Sequence, residues 1–400
     1  MTSAIVIGAG IAGCSTAHAL AQRGIAVTLL ERHENIAQEA SGNPLAMLYP
    51  KLSFKPSLQS LLASHSFDFT LRLLHSLSNH SQFFNACGQI QLAHNDAERA
   101  KQDALRQEEY WHKNSHFFRF VNSVEASEIA GITLKMEGIF LPQAGWVNPR
   151  LLCTELSSHP LINVQTAQHV LAIVPHQNGW QIQLKDDAMD AENIVICNAN
   201  EINQFGFCKS AAITPVRGQV NFFAENASSQ ALKTIVCSDH FLSPAVDGYH
   251  SFGTTYAPND MNADVSAQDS QQNLAALDDI SPEIVASIKQ QDTQARVAWR
   301  SQTLDYMPLA GQLIDEEKLR ANPPRYNANP ADLPWLQGLF VNAGHGSKGM
   351  ITAPMCGELV ASLITKTPLP LDVKLASSMN PSRFLLRELG LKQLAASLCT

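Results

Sequence analysis

Four residues near the N-terminus have the types and the spacing that bind a dinucleotide. Gly8, Gly10 and Gly13 stand in G-x-G-x-x-G order, and Glu31 lies 18 positions beyond the last of them. Such glycines allow a tight turn, the approach of a pyrophosphate to the backbone and close packing of a helix on a strand, while the acid accepts hydrogen bonds from a ribose diol. The pattern predicts a dinucleotide site that suits NAD or FAD, with Arg32 leaving a 2′-phosphate as a minor alternative.

A second glycine-rich segment, NAGHGSKGMITAPMCGELVASLI at 342–364, precedes a helical pattern near the C-terminus. Gly344, Gly346 and Gly349 interrupt its polar part, as at a helix N-terminus that receives an anion. A helix dipole stabilises a nearby anion by about 0.3–1 kcal/mol, and by about 2 kcal/mol where the site is partly buried. The flavin ring becomes negative at one edge on reduction, so FAD has a use for this terminus, with Lys348 beside it, and NAD has none. A simple helix cap is the alternative.

A small, polar segment, EASGNPLAMLYPKLS at 39–53, follows the first motif where an NAD-binding domain would continue with a plain crossover helix. Ser41, Gly42 and Asn43 offer backbone N–H groups and short side chains to a second phosphate or to the flavin edge. A surface loop is the alternative interpretation. Together with the second helix terminus, this segment favours FAD over NAD.

Two kinds of element must position these residues. Apolar runs predict buried strands of a parallel sheet, and they lie at 4–7, 26–30, 194–197 and 338–344. Residues 213–305 instead hold strand-like segments around one helical stretch at about 270–290. The fold class is therefore α/β, a Rossmann-type dinucleotide-binding domain with an interleaved α+β domain built on a mainly antiparallel sheet. The predicted FAD-binding domain comprises 1–50, 145–212 and 336–400, and the predicted substrate domain comprises 51–144 and 213–335.

Composition limits the other classes of function. Hydrophobic residues make up 45% and charged residues 16% of the 400 residues, and the formal charge is 28 − 36 = −8, which does not support a general nucleic-acid coat. The eight cysteines show no metal-binding spacing, which favours free thiols in a reducing compartment. We expect a cytoplasmic protein without a metal site or a membrane span, since no run of 18 apolar residues occurs.

Several segments together resemble a known superfamily. The N-terminal unit, PVRGQ, WRSQTLDYMPLAG and GHGSKGMITAPMCGELVA look like the D-amino-acid/glycine/sarcosine oxidase superfamily of FAD enzymes, whose cofactor domain is of the GR2/DAO type. With ASGNPLAMLYPKLS and NPSRFLLREL added, the whole chain is similar to the C-terminal oxidoreductase domain of the MnmC family of bifunctional tRNA wobble-uridine modification proteins. No cysteine lies in WRSQTLD, where some members of the superfamily attach the flavin, so we expect non-covalent FAD.

This resemblance implies an activity. It is the removal of the carboxymethyl group from 5-carboxymethylaminomethyl(-2-thio)uridine in tRNA, which leaves 5-aminomethyl(-2-thio)uridine and glyoxylate. Hydride would pass from the carbon beside the amine to flavin N5, and water would hydrolyse the imine. The expected partners are modified tRNA and a separate or fused methyltransferase. An FAD-dependent oxidase of a small amino acid or secondary amine, and an FAD-binding module without turnover, remain the alternatives.

The resemblance also assigns roles to side chains. Arg300 matches the arginine that binds the substrate carboxylate, although an ion pair with Asp305 would be a purely structural role. Arg217 and Tyr256 are weaker candidates for lining the flavin face, and Lys348 stands where arginine is expected. The predicted catalytic set is Arg300, Lys348, Tyr256 and Arg217. The predicted cofactor residues are Gly8, Gly10, Ile11, Ala12, Gly13, Glu31, Arg32, Ser41, Gly42, Asn43, Val170, Gly344, Gly346, Ser347, Lys348, Gly349 and Met350.

One surface segment is a candidate for contact with tRNA phosphates. Residues 366–392 carry five basic and two acidic side chains, a local balance of 5 − 2 = +3. We expect this segment to offset the overall negative charge. A solvated C-terminal helix is the alternative.

Overall fold

The computed structural model describes residues 3–50, 52–53, 56–108, 117–177 and 179–399. Within them lie 21 strands and 12 helices. The strands are β1 (Ser3–Ile7), β2 (Ala26–Leu30), β3 (Ala46–Leu48), β4 (Phe84–Asn85), β5 (Gln89–Leu92), β6 (Arg119–Val121), β7 (Gly138–Leu141), β8 (Gly145–Val147), β9 (Ile162–Gln165), β10 (Ala172–His176), β11 (Gly179–Gln183), β12 (Ala188–Ala191), β13 (Asn193–Ile196), β14 (Ile213–Ala224), β15 (Ile235–Cys237), β16 (Phe241–Leu242), β17 (Tyr249–Gly253), β18 (Ala257–Pro258), β19 (Gln294–Thr303), β20 (Leu309–Ile314) and β21 (Trp335–Ala343). The helices are α1 (Ile11–Ala21), α2 (Leu58–Ser76), α3 (Asp96–Gln107), α4 (Ser123–Ala130), α5 (Pro149–Leu156), α6 (Ala267–Ala275), α7 (Pro282–Ile288), α8 (Glu316–Ala321), α9 (Gly349–Thr365), α10 (Val373–Ser377), α11 (Arg383–Glu388) and α12 (Lys392–Ala395).

The first layer is a six-stranded sheet in the order β20-β21-β13-β1-β2-β9. All its pairs are parallel except β20 with β21. Strand β1 alternates between two cores, because Ala4 and Val6 pack with α1 and α9 while Ile5 and Ile7 pack on the opposite face. A strand covered on both faces needs the continuous apolar run that the sequence shows. The predicted Rossmann-type domain is confirmed.

The second layer is a nine-stranded, mainly antiparallel sheet. Its main order is β18-β14-β17-β16-β15-β5-β7-β6, with β19 paired to β14, and β15 with β5 is its parallel pair. One face of this sheet buries Ile90, Leu92 and Phe223 in a core of its own. The other face, with Val220 and Cys237, is turned toward the first layer. This α+β substrate layer also agrees with the prediction.

The interval 270–290 differs from the single helix that the sequence suggested. It holds two helices, α6 and α7, of which the second begins at Pro282. Ser281 caps that helix by accepting from the Ile284 N–H, and proline suits the first helical position because its missing N–H has no partner there. The residues between the two helices therefore form a turn.

The domain limits stay a prediction, and two segments bear on them. Helix α2, assigned to the substrate domain, packs on α9 of the first layer, where the Thr70 hydroxyl donates to the Ile351 carbonyl at 3.0 Å. Strand β20 was also assigned to the substrate domain, yet it pairs with β21 in the first sheet. Both placements follow from apolar faces that have their partners in the first layer.

Nothing in the described part of the chain is a helix long and apolar enough to cross a membrane. All eight cysteines are free thiols, and six of them are buried. Burial raises the pKa of Cys197 to about 12, which keeps this thiol protonated.

Candidate active site between two helix termini

A cavity of about 690 Å³ lies between the N-termini of α1 and α9 and the inner face of the nine-stranded sheet. Its walls therefore come from both layers, as is common for ligand sites in two-domain enzymes. Most of the predicted cofactor residues line it: Gly8, Gly10, Ile11, Ala12, Glu31, Arg32, Ser41, Asn43, Val170, Gly344, Gly346, Ser347, Gly349 and Met350. The remaining three, Gly13, Gly42 and Lys348, do not line it.

The turn into α1 requires glycine for different reasons at successive positions. Gly8 has φ +99°, which side chains of L-residues rarely allow. At Gly13 a Cβ atom would overlap the carbonyl oxygen of Gly8, so that glycine holds the helix against the turn. At Gly10 a Cβ atom would meet only Ser41 Oγ, at 3.3 Å. The backbone at Gly10 is therefore open toward the cavity, where a pyrophosphate could approach it.

The 39–43 segment is held by groups on both layers. The Ser41 hydroxyl accepts from the Ile11 N–H at 3.0 Å, which places it at the N-terminus of α1. Asn43 accepts from Arg296 of β19 at 2.5 Å, and the same guanidinium donates to the carbonyls of Gln38 and Glu39 at 2.7 Å. A Cβ atom at Gly42 would come within 2.6 Å of Arg296 Nη2. Gly42 thus makes room for this arginine and does not face a ligand.

Glu31 has a structural task in addition to the predicted one. Its carboxylate is buried and accepts from the backbone N–H groups of Ala9 at 2.9 Å and His33 at 3.0 Å. These bonds fix the carboxylate at the cavity wall, where oxygen lone pairs remain for a ribose diol. The rigid acid therefore fits the role expected of it in the dinucleotide motif.

The charge of Arg32 is offset by two carboxylates. Its guanidinium forms ion pairs with Glu201 and, at 2.7 Å, with Glu39. A 2′-phosphate would have to compete with both acids, which disfavours that minor alternative. Nearby, Val170 is buried and lines the cavity, and its N–H makes no hydrogen bond within the described residues. That donor is available to an adenine ring.

The second helix terminus is tied to the first by buried side chains. Asn342, which is fully buried, donates from Nδ2 to Ala12 O at 3.3 Å and to Thr16 Oγ1 at 3.0 Å, both on α1. Its Oδ1 lies 3.0 Å from His345 Nε2, and His345 Nδ1 lies 2.9 Å from Thr352 Oγ1 on α9. The amide orientation makes Asn342 Oδ1 an acceptor, so neutral His345 carries its proton on Nε2.

His345 is held in the neutral form by its surroundings. Burial lowers its pKa to about 3. The Lys348 side chain was expected near the flavin edge, but it does not line the cavity. Residues 344–347, 349 and 350 line this part of the cavity, and the positive end of the α9 dipole lies there.

Arg300 brings a positive charge into the cavity without an acidic partner. Its guanidinium donates to Thr254 Oγ1 and, at 3.3 Å, to the Thr255 carbonyl. No carboxylate of the described residues forms an ion pair with it, and burial lowers its pKa. The alternative ion pair with Asp305 is wrong, because Asp305 binds Arg383 at 2.8 Å and Arg387 at 2.7 Å instead.

Two tyrosines accompany Arg300. The Tyr256 ring centre lies 6.0 Å from Arg300 Cζ, and the Tyr256 hydroxyl donates to Gln302 Oε1 at 2.9 Å. Tyr49 also lines the cavity, and burial raises its pKa to about 12, so the phenol stays protonated and can donate. The structure thus gathers one guanidinium and two phenols at this wall.

Arg217 does not belong to the site. Its side chain is buried and forms an ion pair with Asp269, while Nε and Nη2 each donate at 2.7 Å to the carbonyls of Asn262 and Asp264. Arg217 pairs with Trp299 across the sheet, so it lies on the face opposite to Arg300. The predicted place at the flavin face is therefore corrected to a structural one.

The candidate phosphate contact at 366–392 stays a prediction, although the structure places some of its charged side chains in ion pairs. Arg383 is fully buried and Arg387 is paired, both with Asp305, and Glu388 pairs with Arg320 at 2.7 Å. Much of the charge of this segment is therefore used inside the fold. Its exposed lysines at 366, 374 and 392 do not by themselves form a phosphate site.

Sequence reasoning missed several residues of the wall. Gly218, in PVRGQ, lies under the Arg300 guanidinium, where a Cβ atom would be 2.9 Å from Arg300 Cζ. Tyr49 and Gln89 have no local signal beyond their place in a polar segment or in a strand. Only the pairing of β14 with β19 and the meeting of the two layers bring them to the cavity.

These observations are consistent with bound FAD. The turn at Gly10 is open, the Val170 N–H has no partner among the described residues, and two helix N-termini face one cavity. An extended dinucleotide with a ring that gains negative charge fits this arrangement. The fold and the site thus define a flavin-binding α/β oxidoreductase.

The comparison with known proteins agrees. The chain belongs to the family described as FAD dependent oxidoreductase, which matches residues 3–363. A relative from Methylobacillus flagellatus, the tRNA 5-methylaminomethyl-2-thiouridine biosynthesis bifunctional protein MnmC, is 37% identical over 99% of this chain and 61% of its own length. The protein of that name from Pseudomonas putida is 38% identical over 96% of this chain and 60% of its own length. The predicted resemblance is confirmed, and the chain spans about three fifths of these relatives.

Solved structures show the same fold. Glycine oxidase from Geobacillus kaustophilus superposes with a TM-score of 0.77 at 21% identity, over 96% of this chain and 99% of that one. L-proline dehydrogenase from P. horikoshii superposes with a TM-score of 0.75 at 18% identity, over 97% and 98% of the two chains. At these identities the likeness concerns the fold alone.

Proposed function

We propose that this chain removes the carboxymethyl group from 5-carboxymethylaminomethyl(-2-thio)uridine at the wobble position of tRNA and leaves the 5-aminomethyl base and glyoxylate. The observation that carries the proposal is the unpaired guanidinium of Arg300 in the wall of the cofactor cavity. A guanidinium pairs favourably with a carboxylate, often through two parallel hydrogen bonds. The kinship with bifunctional tRNA 5-methylaminomethyl-2-thiouridine biosynthesis proteins supplies the rest of the substrate.

Different residues of the cavity would bind the cofactor and the substrate. Gly10, Ser41 and Glu31 on one layer, with the N-terminus of α9, would hold FAD. When bound, FAD supplies the two-electron oxidation of the carbon–nitrogen bond. Arg300 would bind the substrate carboxylate, and Tyr49 would donate a hydrogen bond beside it.

The amine must lose its proton before oxidation, and His345 is not suited to accept it. Both its ring nitrogens are engaged, with Asn342 and Thr352, and burial lowers its pKa to about 3. The contribution of the chain would therefore be to orient the substrate, an effect that can supply a large part of a rate enhancement. After loss of two electrons, water hydrolyses the substrate imine, and the carboxymethyl carbons leave as glyoxylate.

Three further statements belong to the proposal. FAD is held without a covalent bond, since WRSQTLD holds no cysteine to attach it, and acid denaturation should release all the flavin from the protein. The tRNA substrate implies a cytoplasmic location. A methyltransferase, fused or separate, would convert the aminomethyl product to the methylaminomethyl base for which the relatives are named.

One experiment tests the activity. The holoenzyme is mixed without oxygen with tRNA that carries the carboxymethylaminomethyl group, and bleaching of the flavin is followed. Unmodified tRNA, glycine, sarcosine and D-alanine serve as comparisons. Fast bleaching by the modified tRNA alone supports the proposal, whereas fast bleaching by a small amino acid and none by the tRNA would replace it with a free amino-acid oxidase.

A further inference from the structure

We propose that Gln89 and Gln91 form a subsite that recognises the edge of the uracil ring in the substrate. The proposal rests on the function proposed above and names residues that would distinguish a nucleobase from other amine substituents. It concerns the part of the cavity wall formed by β5 and β15.

Strand β5 turns both glutamines toward the cavity. Its residues alternate, so that Ile90 and Leu92 are fully buried in the core of the substrate layer while Gln89 and Gln91 line the cavity. Gln89 is only 2% exposed. Two amides therefore occupy positions at which an apolar side chain would ordinarily pack.

These amides have unused hydrogen-bonding capacity. Gln89 Oε1 is buried without a hydrogen-bond partner among the described residues. Gln91 Nε2 donates to the Ser238 carbonyl at 3.3 Å, which leaves Gln91 Oε1 without a recorded partner in the same part of the chain. A buried amide left unpaired destabilises the fold, so its presence at a cavity wall points to a ligand.

The strand register connects this subsite with Arg300. Val220, Gly253, Phe241, Cys237 and Gln91 lie opposite one another on β14, β17, β16, β15 and β5, and all five line the cavity. The Arg300 guanidinium bonds to Thr254, next to Gly253. From β17 to β5 there are three strand spacings, about 14 Å along the sheet. Both Arg300 and Gln91 line the cavity, so a substrate with a carboxylate at one end and a ring at the other can contact both.

The chemistry of the amides matches a uracil edge. A carboxamide presents one donor and one acceptor in a plane, and uracil presents the O4 acceptor beside the N3–H donor. Proteins read unpaired RNA bases in this way, on Watson–Crick edges turned out of the stack. A free amino acid has no such edge, so the subsite would distinguish the modified uridine from free amino acids.

The test uses anticodon stem-loop RNA that carries 5-carboxymethylaminomethyluridine, either with N3–H or with N3-methyl, and N-benzylglycine as an amine without the base. Each compound is mixed with the holoenzyme without oxygen, and the rate of flavin reduction is measured. The quantity compared is the rate constant of reduction divided by the Kd of that compound. We expect the wild type to favour the N3–H RNA by about 5- to 150-fold. In Gln89→Leu the preference for the N3–H RNA over the N3-methyl RNA should fall close to one-fold. The value for N-benzylglycine should stay unchanged.

Further variants keep the result interpretable. Gln183→Leu, on the exposed side of β11 and outside the cavity, should keep the wild-type ratio. Gln89→Glu has no N–H to donate to uracil O4, so it should also lose the preference for the N3–H RNA. This variant tests the subsite if Gln89→Leu does not fold. Perturbation of the flavin spectrum by RNA with non-oxidisable 5-carboxymethyluridine gives a second, binding readout.

The two ways of failing are distinct. If the wild type is not reduced by the modified RNA or by modified tRNA, the proposed function fails and this inference falls with it. If the wild type is reduced but both Gln89 variants keep its preference for N3–H, only the uracil subsite is overturned.

Discussion

The guanidinium of Arg300 lies across Gly218 on the neighbouring strand, where a Cβ atom would overlap Nη1 and come within 2.9 Å of Cζ. Gly218 is opposite Ala298 in the register, and Ala298 lies on the same face as Arg300. The glycine is needed for space, since even one methyl group would occupy the place of the guanidinium. Gly218 is therefore a positioning residue for the carboxylate anchor.

Gly218→Ala is expected to impair substrate use and leave the flavin bound. Arg300→Met should cost about 2–5 kcal/mol in transition-state binding, a tens- to thousands-fold loss of flavin reduction at low substrate. If Gly218→Ala acts by displacing Arg300, the variant that combines Gly218→Ala with Arg300→Met should reduce its flavin no more slowly than Arg300→Met alone. Reduction rates at equal flavin occupancy decide this, with the exposed, paired Arg320→Met as the matched control. Additive losses in the double variant would contradict the positioning role.

Gly10→Ala and Gly13→Ala should separate cofactor binding from folding. A methyl group at Gly13 would overlap the Gly8 carbonyl oxygen, whereas at Gly10 it meets only Ser41 Oγ at 3.3 Å. We expect both variants to lose FAD affinity, but only Gly13→Ala to lower the melting temperature of the apoprotein. Flavin occupancy and calorimetry of the apo forms measure the two effects. Equal melting temperatures for the two variants would show that the helix can shift without cost.

His345 should make stability depend on pH. Its pKa falls from 6.5 in the unfolded chain to about 3 in the fold, so its contribution is complete above pH 6.5 and is lost as the pH falls toward 3. Between pH 7 and 5 the loss is about 2 kcal/mol for one such group. The difference in unfolding free energy between wild type and His345→Gln should shrink by that amount between pH 7 and pH 5, and an unchanged difference would contradict the lowered pKa.

The protonation of His345 can also be observed directly. Nitrogen chemical shifts of labelled histidine at pH 5 should show a neutral ring with its proton on Nε2, because Asn342 Oδ1 accepts it. A charged ring at that pH would contradict the buried, hydrogen-bonded position.

Asp305→Asn should destabilise the protein without removing FAD. Burial raises the Asp305 pKa, but the hydrogen bonds and charge of Arg383 and Arg387 outweigh this and lower the pKa to about 2. The carboxylate therefore stabilises the fold above about pH 4, and this stability is lost as the pH falls through 2. The variant leaves Arg383 buried without its acid, which costs about 3–5 kcal/mol. Denaturant unfolding at pH 7 measures it, with exposed Asp332→Asn as control, and a loss below about 1 kcal/mol would contradict the buried pair.

Local sequence patterns predicted the two main layers of the fold and the part of the site at the two helix termini. The turn at Gly8 to Gly13, the acid Glu31 and the glycines before α9 are contiguous motifs whose geometry follows from a few residues. The strand β14 begins and ends where its β-branched and aromatic run does. The helical pattern at 270–290 does not show where one helix ends and the next begins, although Ser281 and Pro282 are typical of a helix start.

The sequence by itself determined that this chain binds a dinucleotide at two helix termini, because those termini are built from consecutive residues. Only the tertiary structure decided which arginine faces the cavity. Arg217 and Arg300 lie on paired strands, and their faces depend on the register, which opposes Arg217 to Trp299 and Arg300 to Val216. A shift of one residue in that pairing would have placed both arginines on the same face of the sheet. Register is set by contacts between residues about 80 positions apart along the chain, and no local pattern contains it.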